Sequence, residues 1–486
     1  MKVLDRLEPK EVWTCFEEIT KIPRPSKKEE KIIKYLLDFG KKLKLETKRD
    51  KIGNIVIKKP ATKGMESLIS IVLQSHMDMV CEKNSDVKIN FEKDAIQPYV
   101  ENGWVKAKGT TLGADDGIGI AVQMAVLKSD KIKHGPIECL FTVDEETGLT
   151  GAFELKPGFF SGKILINLDS EDEGELFIGC AGGIDTVANF KFTKDNIPEK
   201  SIAFKINVSG LKGGHSGDDI HKELGNSNKL LNRILWQAER EFDIGLHIFD
   251  GGNLRNAIPR EAFAIITLAE RKKTEFVKMV TKLGKEIKNE FEDTAPDLSI
   301  FCKSAKIPEF IIDKKTQNRL LNSIYVCPHG VIRWSQKMKG LVETSTNLAS
   351  VKFIDKNQII VTTSQRSSVK SSIIDAANMV ESVFILSGAK VKHSDGYPGW
   401  NPNPDSEILR IAEASYKRLY GKNPNVRAIH AGLECGLFLE KYPDLDMISF
   451  GPTLRGVHSP DEKIEIRTVE LWWNHLLDIL KSIPKR

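Results

Sequence analysis

Residues Leu68 to Asp78 read LISIVLQSHMD, an apolar run that leads into a histidine and an aspartate. Two later stretches repeat the pattern, because IECLFTV precedes Glu145 and Glu146 and KILINL precedes Asp169. Continuous apolar runs of this length are typical of strands buried on both faces of a parallel sheet. Ligands of open α/β sheets bind beyond the carboxyl ends of such strands. The sequence therefore predicts an α/β protein with polar side chains collected at one edge of its sheet.

A fourth run, Asp446 to Phe450, lies far downstream and is followed by a Gly-Pro turn and then His458. Strands and helices alternate in the region between, from about Ile184, and the turn-rich stretch HSDGYPGWNPNPD reads as a linker back to the first domain. We therefore predict a discontinuous catalytic domain, residues 1–183 and 394–486, with a mostly parallel central sheet flanked by helices. An α+β domain, residues 184–393, would be inserted into it, and weak self-similarity leaves two related halves open there.

Composition excludes several classes of protein. The 486 residues are 40% hydrophobic and 29% charged, which suits a large enzyme with two or more domains. The net charge is +5, and the basic residues are scattered, so no nucleic-acid partner is expected. Seven cysteines occur singly, which predicts reduced thiols. No signal peptide or membrane-spanning run is evident, and we expect a cytoplasmic protein without a membrane partner.

The pair His76 and Asp78 has two interpretations. The imidazole can ligate a divalent metal while Asp78 accepts a hydrogen bond from a ring nitrogen and fixes the tautomer. A buried histidine with a satisfied hydrogen bond would show the same spacing. Asp115 and Asp116 are ambiguous in a similar way, because a carboxylate before a helix is favoured with or without a metal. Asp115 could also bridge two cations, one on each oxygen.

Three other positions complete the candidate site. Neighbouring side chains on an extended segment point in different directions, so one of Glu145 and Glu146 could bind metal while the other acts as general base. A solvated turn is the alternative for this pair. Asp169 closes a strand and would be a ligand, with Asp172 as a substitute. His458 would supply a second imidazole, although a surface loop residue would fit the same context.

One helix start is predicted nearby. Ser26 and Glu29 have the spacing of a capping box and would open an amphipathic helix that runs through about Leu43. This segment is assigned to packing and not to chemistry.

Taken jointly, the polar motifs resemble a family. They are similar to those of the aminoacyl-histidine (Xaa-His) dipeptidases within the two-zinc aminoacylase and carboxypeptidase superfamily, in the same order over nearly the whole chain. The motifs are SHMD (75–78), GADDG (113–117), DEE (144–146), NLD (167–169), GGHSG (213–217), GGNLRNAIPRE (251–261), HAGLECGLF (430–438) and GPT with HSPDE (451–453 and 458–462).

The resemblance implies a metal site with two Zn²⁺ ions per subunit. His76 and Asp169 would hold one zinc, Glu146 and His458 would hold the other, and Asp115 would bridge both. Because carboxylates dominate this set, Mn²⁺ or Co²⁺ could substitute for zinc.

The remaining roles also follow from the resemblance. Asp78 would orient His76, Glu145 would be the general base, and a cis peptide would join Asp115 to Asp116.

The inserted domain would be the family's lid. It would bring His215, Asn256 and Arg366 toward the carbonyl oxygen and carboxylate of the substrate, and Glu434 would meet its amino group. His215 could instead begin a helix in a Gly-rich turn, and Arg366 could be a surface charge on an edge strand.

The resemblance implies the hydrolysis of dipeptides, Xaa-His and others. The substrate would be a small peptide, and the resemblance is compatible with a homodimer. An N-acyl amino acid amidohydrolase or an aminopeptidase of the same superfamily is the alternative. A non-catalytic binding protein of this fold is a further one.

Overall fold

Two units make up the structure, a computed structural model that describes residues 3–355 and 357–485. Unit 1 holds the residues up to Gly179, Pro402–Ala428 and the residues from Leu433 onward. Unit 2 holds Cys180–Asn401 and Ile429–Gly432. The chain thus leaves unit 1 at 179/180, returns at 401/402 and enters unit 2 again at Ile429–Gly432, whereas the predicted boundaries are 183/184 and 393/394.

The first part of the chain contains helices and strands of unit 1. These are α1 (Lys10–Ile19), α2 (Glu30–Lys42), β1 (Glu46–Arg49), β2 (Ile55–Lys59), β3 (Ile71–His76), β4 (Pro98–Glu101), β5 (Trp104–Ala107), α3 (Ala114–Lys128), β6 (Ile137–Thr142), α4 (Glu145–Gly148), α5 (Thr150–Glu154), β7 (Ile164–Asn167) and β8 (Glu175–Cys180).

The middle part contains the elements of unit 2. These are β9 (Gly182–Lys191), β10 (Lys194–Asp195), β11 (Ser201–Ser209), β12 (Gly214–His215), α6 (Ser227–Phe242), β13 (Gly245–Gly251), β14 (Ala257–Ile258), β15 (Ala262–Ala269), α7 (Lys273–Glu290), β16 (Ser299–Ala305), β17 (Ile311–Ile312), α8 (Lys314–Val326), β18 (Gly330–Trp334), β19 (Val342–Ile354), β20 (Gln358–Ser367), α9 (Lys370–Leu386) and β21 (Lys390–His393), with short 3₁₀ turns at Ile220–Lys222 and Glu270–Lys272.

The last part returns to unit 1. Its elements are α10 (Glu407–Tyr420), β22 (Asn425–Ile429), α11 (Glu434–Lys441), β23 (Asp446–Ser449), β24 (Leu454–Arg455), β25 (Lys463–Glu465) and α12 (Ile466–Ser482).

The main sheet of unit 1 has eight strands in the order β1-β2-β6-β3-β7-β23-β8-β22. The four predicted apolar runs form its centre, and β6, β3, β7 and β23 are mutually parallel. Every residue of β3, β6 and β7 is buried, as the unbroken apolar runs require. Their carboxyl ends therefore meet at one edge of the sheet. The predicted α/β class is confirmed.

The edges of this sheet differ from its centre. Strands β1, β2 and β6 pair antiparallel on one side, and β23 pairs antiparallel with β8 on the other. The sheet is therefore mixed, with parallel pairing among the four strands of its centre. Short antiparallel edge strands carry little apolar patterning, which is why the sequence did not distinguish them.

A second sheet of unit 1 fixes the end of the chain. Strands β24, β25, β5 and β4 pair antiparallel in that order. Lys463 lies opposite Lys106 and Glu465 lies opposite Trp104. The loop between β24 and β25, which carries His458, is thereby held against the first third of the chain.

Unit 2 is built on a nine-stranded antiparallel sheet in the order β16-β11-β15-β13-β19-β20-β9-β21, with β18 paired to β19. One hydrophobic cluster joins the sheet to all four helices of the unit, for example through Leu231, Phe276, Leu320 and Phe384. The roles of catalytic domain and lid for the two units remain predictions.

The predicted capping box is wrong. Helix α2 begins at Glu30, and Glu29 precedes it without a side-chain cap. The hydroxyl of Ser26 instead donates to Asp78 Oδ2 at 2.8 Å, and the carboxylate of Glu29 accepts from the backbone N–H groups of Lys27 and Asp144. This segment therefore contributes to the candidate site, because a hydroxyl and a carboxylate serve a tertiary contact as readily as a local cap.

Two sequence-based exclusions concern membranes and disulfides. Within residues 3–355 and 357–485, no helix combines the length and apolar character needed to cross a bilayer. Cys15, Cys81, Cys139, Cys302 and Cys327 are free thiols, as predicted.

His475 ties two helices of unit 1 together. Its Nε2 lies 2.9 Å from the carbonyl oxygen of Ala412, so the side chain of α12 contacts the backbone of α10. The ring packs edge-on against Tyr416 and Phe450 and is buried. Burial lowers the pKa of His475 to about 4.

We predict that His475→Gln makes the protein less sensitive to acid. In the unfolded chain the ring binds a proton below its ordinary pKa of 6.5, whereas the folded protein resists protonation down to about 4, so stability falls between these values as the pH drops. Between pH 7 and 5 this one group should remove about 2 kcal/mol. Urea unfolding followed by tryptophan fluorescence at both pH values measures the difference between wild type and variant. An equal pH dependence in both proteins would contradict the assignment.

Candidate functional site

The candidate site lies where the central strands of unit 1 end. His76 is the last residue of β3, Asp115 lies at the start of α3, and Asp169 follows β7. Glu145 and Glu146 open α4, directly after β6. Four separate segments therefore place imidazole and carboxylate groups at the same edge of the sheet.

His76 contacts three carboxylates. Its Nε2 lies 2.9 Å from Asp115 Oδ1 and 3.5 Å from Asp169 Oδ1. Its Nδ1 lies 3.3 Å from Asp78 Oδ1. Asp78 is fully buried and also accepts from the backbone N–H groups of Glu145 at 3.0 Å and Glu146 at 3.2 Å. Asp78 therefore links the histidine to the segment that carries the two glutamates.

His458 reaches the same carboxylate from the far end of the chain. Its Nε2 lies 3.1 Å from Asp115 Oδ2 and 3.0 Å from Glu146 Oε2. The side chain of His458 is 52% exposed, whereas that of Glu146 is 4% exposed. His458 thus covers buried carboxylates. Each oxygen of Asp115 contacts one imidazole, that of His76 or that of His458.

Two sets of potential metal ligands share Asp115. His76, Asp115 and Asp169 form one set, and Asp115, Glu146 and His458 form the other, with the ligand atoms of each set within 4.8 Å of one another. His76 also forms a group with Glu145 and Glu146. The structure thus brings together the residues that the sequence assigned to the two metal positions.

The electrostatics of the site reflect an excess of buried carboxylates. Burial would lower the pKa of His76, but Asp169, Asp115 and Asp78 raise it well above its ordinary value. Hydrogen bonds to Asp115 and Glu146 raise the pKa of His458 to about 11. Burial raises the pKa of Asp169 to about 7. Positive charge placed among these groups is strongly favoured, whether protons or a metal cation supply it.

The donor set fits divalent metal ions. Imidazole nitrogens and carboxylate oxygens are ligands of Zn²⁺, and carboxylates also suit Mn²⁺. Glu146 Oε1 is buried without a hydrogen-bond partner, although Glu146 Oε2 contacts His458. A buried carboxylate oxygen is rarely left unpaired, and a cation would satisfy it.

Several alternative interpretations are decided by the contacts. Asp116 is the residue that caps α3, because its Oδ1 accepts from the N–H of Gly119 at 3.0 Å, whereas Asp115 faces the imidazoles. The peptide bond between Asp115 and Asp116 is cis, as the resemblance implied. Asp172, the substitute for Asp169, pairs instead with Arg455 at 2.7 Å.

Glu434 lies close to this group of carboxylates and is fully buried in α11. Its Oε2 accepts from Gln74 Nε2 at 2.6 Å and from Thr142 Oγ1 at 2.8 Å, whereas its Oε1 has no hydrogen-bond partner. Burial raises the pKa of Glu434 to about 8. The unpartnered oxygen is a candidate acceptor for a cationic group.

Unit 2 contains the predicted lid residues. Arg366 lies on β20 between β19 and β9 and is 7% exposed, so it is not a surface charge on an edge strand. Its Nη1 donates to Tyr397 Oη at 3.1 Å, whereas its Nε has no hydrogen-bond partner. His430 is also buried and has an unpartnered Nδ1. Burial, with the nearby Arg366 cation, lowers the pKa of His430 to about 3, which leaves the ring neutral.

His215 and Asn256 lie in a small two-stranded element of the same unit. His215 ends β12 and pairs with Ala257 of β14, so it does not start a helix. Its Nδ1 lies 3.2 Å from Asp218 Oδ2. Asn256 is exposed, and its carbonyl oxygen accepts from the N–H of Ser216 at 2.8 Å.

Sequence analysis missed residues that act through tertiary contacts. Ser26 contacts Asp78, Tyr397 contacts Arg366, and two buried charged residues, Arg24 and Glu462, contact the backbone of the ligand-bearing loops. Glu462 is the last residue of the motif HSPDE, and its place in the motif was an available signal of a role in the site. Arg24 offered none, because nothing in its local sequence predicts burial.

Comparisons with known proteins agree with this geometry. The model of peptidase family M20/M25/M40 matches residues 72–482. The cytosol non-specific dipeptidase of Escherichia coli (strain K12) is 44% identical over 486 residues, which cover 100% of both chains. The crystal structure of aminoacylhistidine dipeptidase from Vibrio alginolyticus superposes with a TM-score of 0.94 at 45% sequence identity. The superposition covers 99% of this chain and 98% of that chain.

A more distant structure shares the fold alone. A tripeptidase from Staphylococcus aureus superposes with a TM-score of 0.57 at 18% identity, with 98% of this chain and 99% of that chain covered. The family match spans most of the sequence and includes every candidate metal ligand from His76 to His458. The chain therefore belongs to peptidase family M20/M25/M40, as the order of its motifs predicted.

Proposed function

We propose that this protein is a two-metal dipeptidase that hydrolyses the single peptide bond of Xaa-His and other dipeptides, with zinc as the metal. The relatives from Escherichia coli and Vibrio alginolyticus are named as dipeptidases, and their identities of 44% and 45% support the same activity here. The name of the first relative also supports a cytoplasmic location.

One observation carries the proposal. Asp115 directs one carboxylate oxygen to His76 and the other to His458, at 2.9 and 3.1 Å, and Asp169 and Glu146 complete a set on either side. A single carboxylate shared by two ligand sets is what a pair of neighbouring cations requires. A catalytic site with one metal would not need a carboxylate that two ligand sets share.

Cations bound to these residues would lower the pKa of a water molecule and polarise the scissile carbonyl group. Glu145 would accept the proton of the attacking water and deliver it to the leaving amine. Burial, together with neighbouring carboxylates, raises the pKa of Glu145 well above its ordinary value, the direction expected for a general base. No nucleophile from the protein is needed.

Unpartnered polar atoms support the proposed roles in binding the charged ends of a dipeptide. The unpartnered Oε1 of Glu434 would accept from the substrate ammonium group. In unit 2, the unpartnered Nε of Arg366 supports a role in binding the substrate carboxylate. His215 and Asn256 would bind the carbonyl oxygen, where a donor stabilises the charge that develops in the transition state.

We predict that Glu145→Ala binds metal as the wild type does but loses dipeptide hydrolysis by about 10²- to 10⁴-fold, the contribution of a general base. Elemental analysis and a dipeptide assay on the same preparation measure both properties. Glu154→Ala is the matched control, because Glu154 is an exposed glutamate in the neighbouring helix α5 and should leave both unchanged. Retained turnover in Glu145→Ala would reject Glu145 as the base.

Asp115→Ala should lose both metal and activity. Its removal takes one ligand from each set and leaves two imidazoles facing each other without the shared carboxylate. Asp172→Ala, which removes a partly exposed carboxylate paired with Arg455, is the control and should keep its metal. A normal metal content in Asp115→Ala would show that the two sets do not share this ligand.

A substrate panel separates dipeptidase activity from its alternatives. Xaa-His and other dipeptides should be cleaved at least tenfold faster, by kcat/KM, than tripeptides or N-acetyl amino acids. An N-acetyl group removes the positive charge that Glu434 would bind, and its buried oxygen would then stay unpaired. Faster cleavage of N-acetyl amino acids would identify an amidohydrolase instead, and faster cleavage of tripeptides would identify an aminopeptidase.

A further inference from the structure

The loop that carries Asp115 is bound by a buried carboxylate. Glu462 Oε2 accepts from the backbone N–H groups of Leu112 at 2.7 Å and Gly113 at 2.9 Å, and its Oε1 accepts from those of Ala114 at 2.7 Å and Asp115 at 3.3 Å. Four successive N–H groups thus converge on one side chain, which is 2% exposed. The φ and ψ angles of Asp115 and Asp116 are not helical at this start of α3, and Glu462 supplies the acceptors for the four N–H groups.

A buried guanidinium holds the opposite side of the same loop. Arg24 Nη2 donates to the carbonyl oxygen of Gly113, and Arg24 Nη1 donates to the carbonyl oxygens of Met77, at 3.1 Å, and Asp78. Arg24 is 2% exposed. One side chain therefore ties the loop of Asp115 to the segment that follows His76.

The glycines of GADDG make room for this guanidinium. A Cβ atom on Gly113 would lie 2.7 Å from Arg24 Nη2, and one on Gly117 would lie 2.5 Å from the same atom. Gly113 also has a φ of +68°, which side chains disfavour. The motif therefore supplies two aspartates, and its glycines leave space for the guanidinium group of Arg24.

The two charged residues meet at the peptide group that joins Gly113 to Ala114. Its carbonyl oxygen accepts from Arg24, and its N–H donates to Glu462 Oε1. Buried charges are costly, and a buried pair of this kind is weak evidence for a stabilising role. Their contacts instead converge on the backbone next to two proposed metal ligands, His76 and Asp115.

We propose that Arg24 and Glu462 are positioning residues of the metal site, which fix the backbone on either side of Gly113 so that the carboxylate of Asp115 faces both imidazoles. The proposal rests on the proposed function, because it assumes that Asp115 binds metal. It adds that zinc affinity is set by two charged side chains that do not contact the metal. Groups that orient metal ligands commonly change affinity or activity by about 10- to 100-fold when they are altered.

The test measures zinc binding to folded apo-protein by competition with a chromophoric chelator. Glu462→Gln should weaken zinc binding by about 10- to 100-fold, because an amide offers one acceptor oxygen and turns a donor toward N–H groups. Arg24→Lys should do the same, because an ammonium group lacks the planar fork that spans both loops. Glu462→Gln keeps the size of the side chain and Arg24→Lys keeps its positive charge, and folding is checked by circular dichroism before each titration.

Glu17→Gln is the matched control. Glu17 is also buried and accepts from two backbone N–H groups, those of Val3 at 2.8 Å and Leu4 at 3.3 Å, at a place away from the ligand-bearing loops. The Glu17→Gln change should lower the free energy of unfolding without a change in zinc affinity. A purely structural role for Glu462 and Arg24 would give that same pattern and would overturn the proposal.

The double variant Arg24→Lys/Glu462→Gln provides a second criterion. Because both residues contact the peptide group between Gly113 and Ala114, the double variant should lose less affinity than the product of the single losses. If the double variant instead loses zinc affinity by the full product of the two single losses, the shared action of Arg24 and Glu462 is rejected.

Wild type separates the two levels of inference. If it binds no zinc and cleaves no dipeptide, the proposed function fails. If it binds zinc and both single variants bind zinc equally well, only the positioning role fails.

Discussion

The contact of Asp115 with two imidazoles is the constraint on which the site depends. His76 and His458 lie on opposite oxygens of this carboxylate, and His458 is 343 residues away from it in the sequence. Asp169, Glu145 and Glu146 lie around the same point, where like charges repel strongly because water is scarce. Protons on these groups or a metal cation reduce this repulsion, and the carboxylates accordingly raise the pKa of both imidazoles. Metal binding therefore competes with protons, and ligand protonation and metal occupancy are linked.

The fold imposes this contact through its central strands. Because β6, β3 and β7 are parallel neighbours, the residues that follow them share one edge of the sheet. His458 reaches that edge by another route, since β25 pairs with β5 and holds its loop in place. Asp78 then joins His76 to the backbone of Glu145 and Glu146. Each ligand is thus fixed by main-chain pairing or by a buried hydrogen bond.

Much of this arrangement could be predicted, because apolar runs that end in polar residues mark buried parallel strands. The metal-ligand candidates, the α/β class and the insertion of a second unit all followed from that pattern and from the order of motifs. What could not be predicted depends on contacts between distant residues. Ser26 matched a local capping rule but serves Asp78, and Arg24 looked like an ordinary surface cation but is buried against three carbonyl oxygens. The antiparallel edge strands were missed because strands of four or five residues carry no clear periodicity.

Unit 2 interrupts the chain between Gly179 and Pro402, and the residues that complete the site come only afterward. During synthesis, the segments that carry His76, Asp115, Glu146 and Asp169 leave the ribosome well before the segment that carries His458 and Glu462. A nascent polypeptide that ends before His458 therefore has an incomplete cluster of acids, without its second imidazole or the carboxylate that binds the backbone beside Asp115. Translation itself thus delays the assembly of the candidate site until His458 and Glu462 have been synthesised.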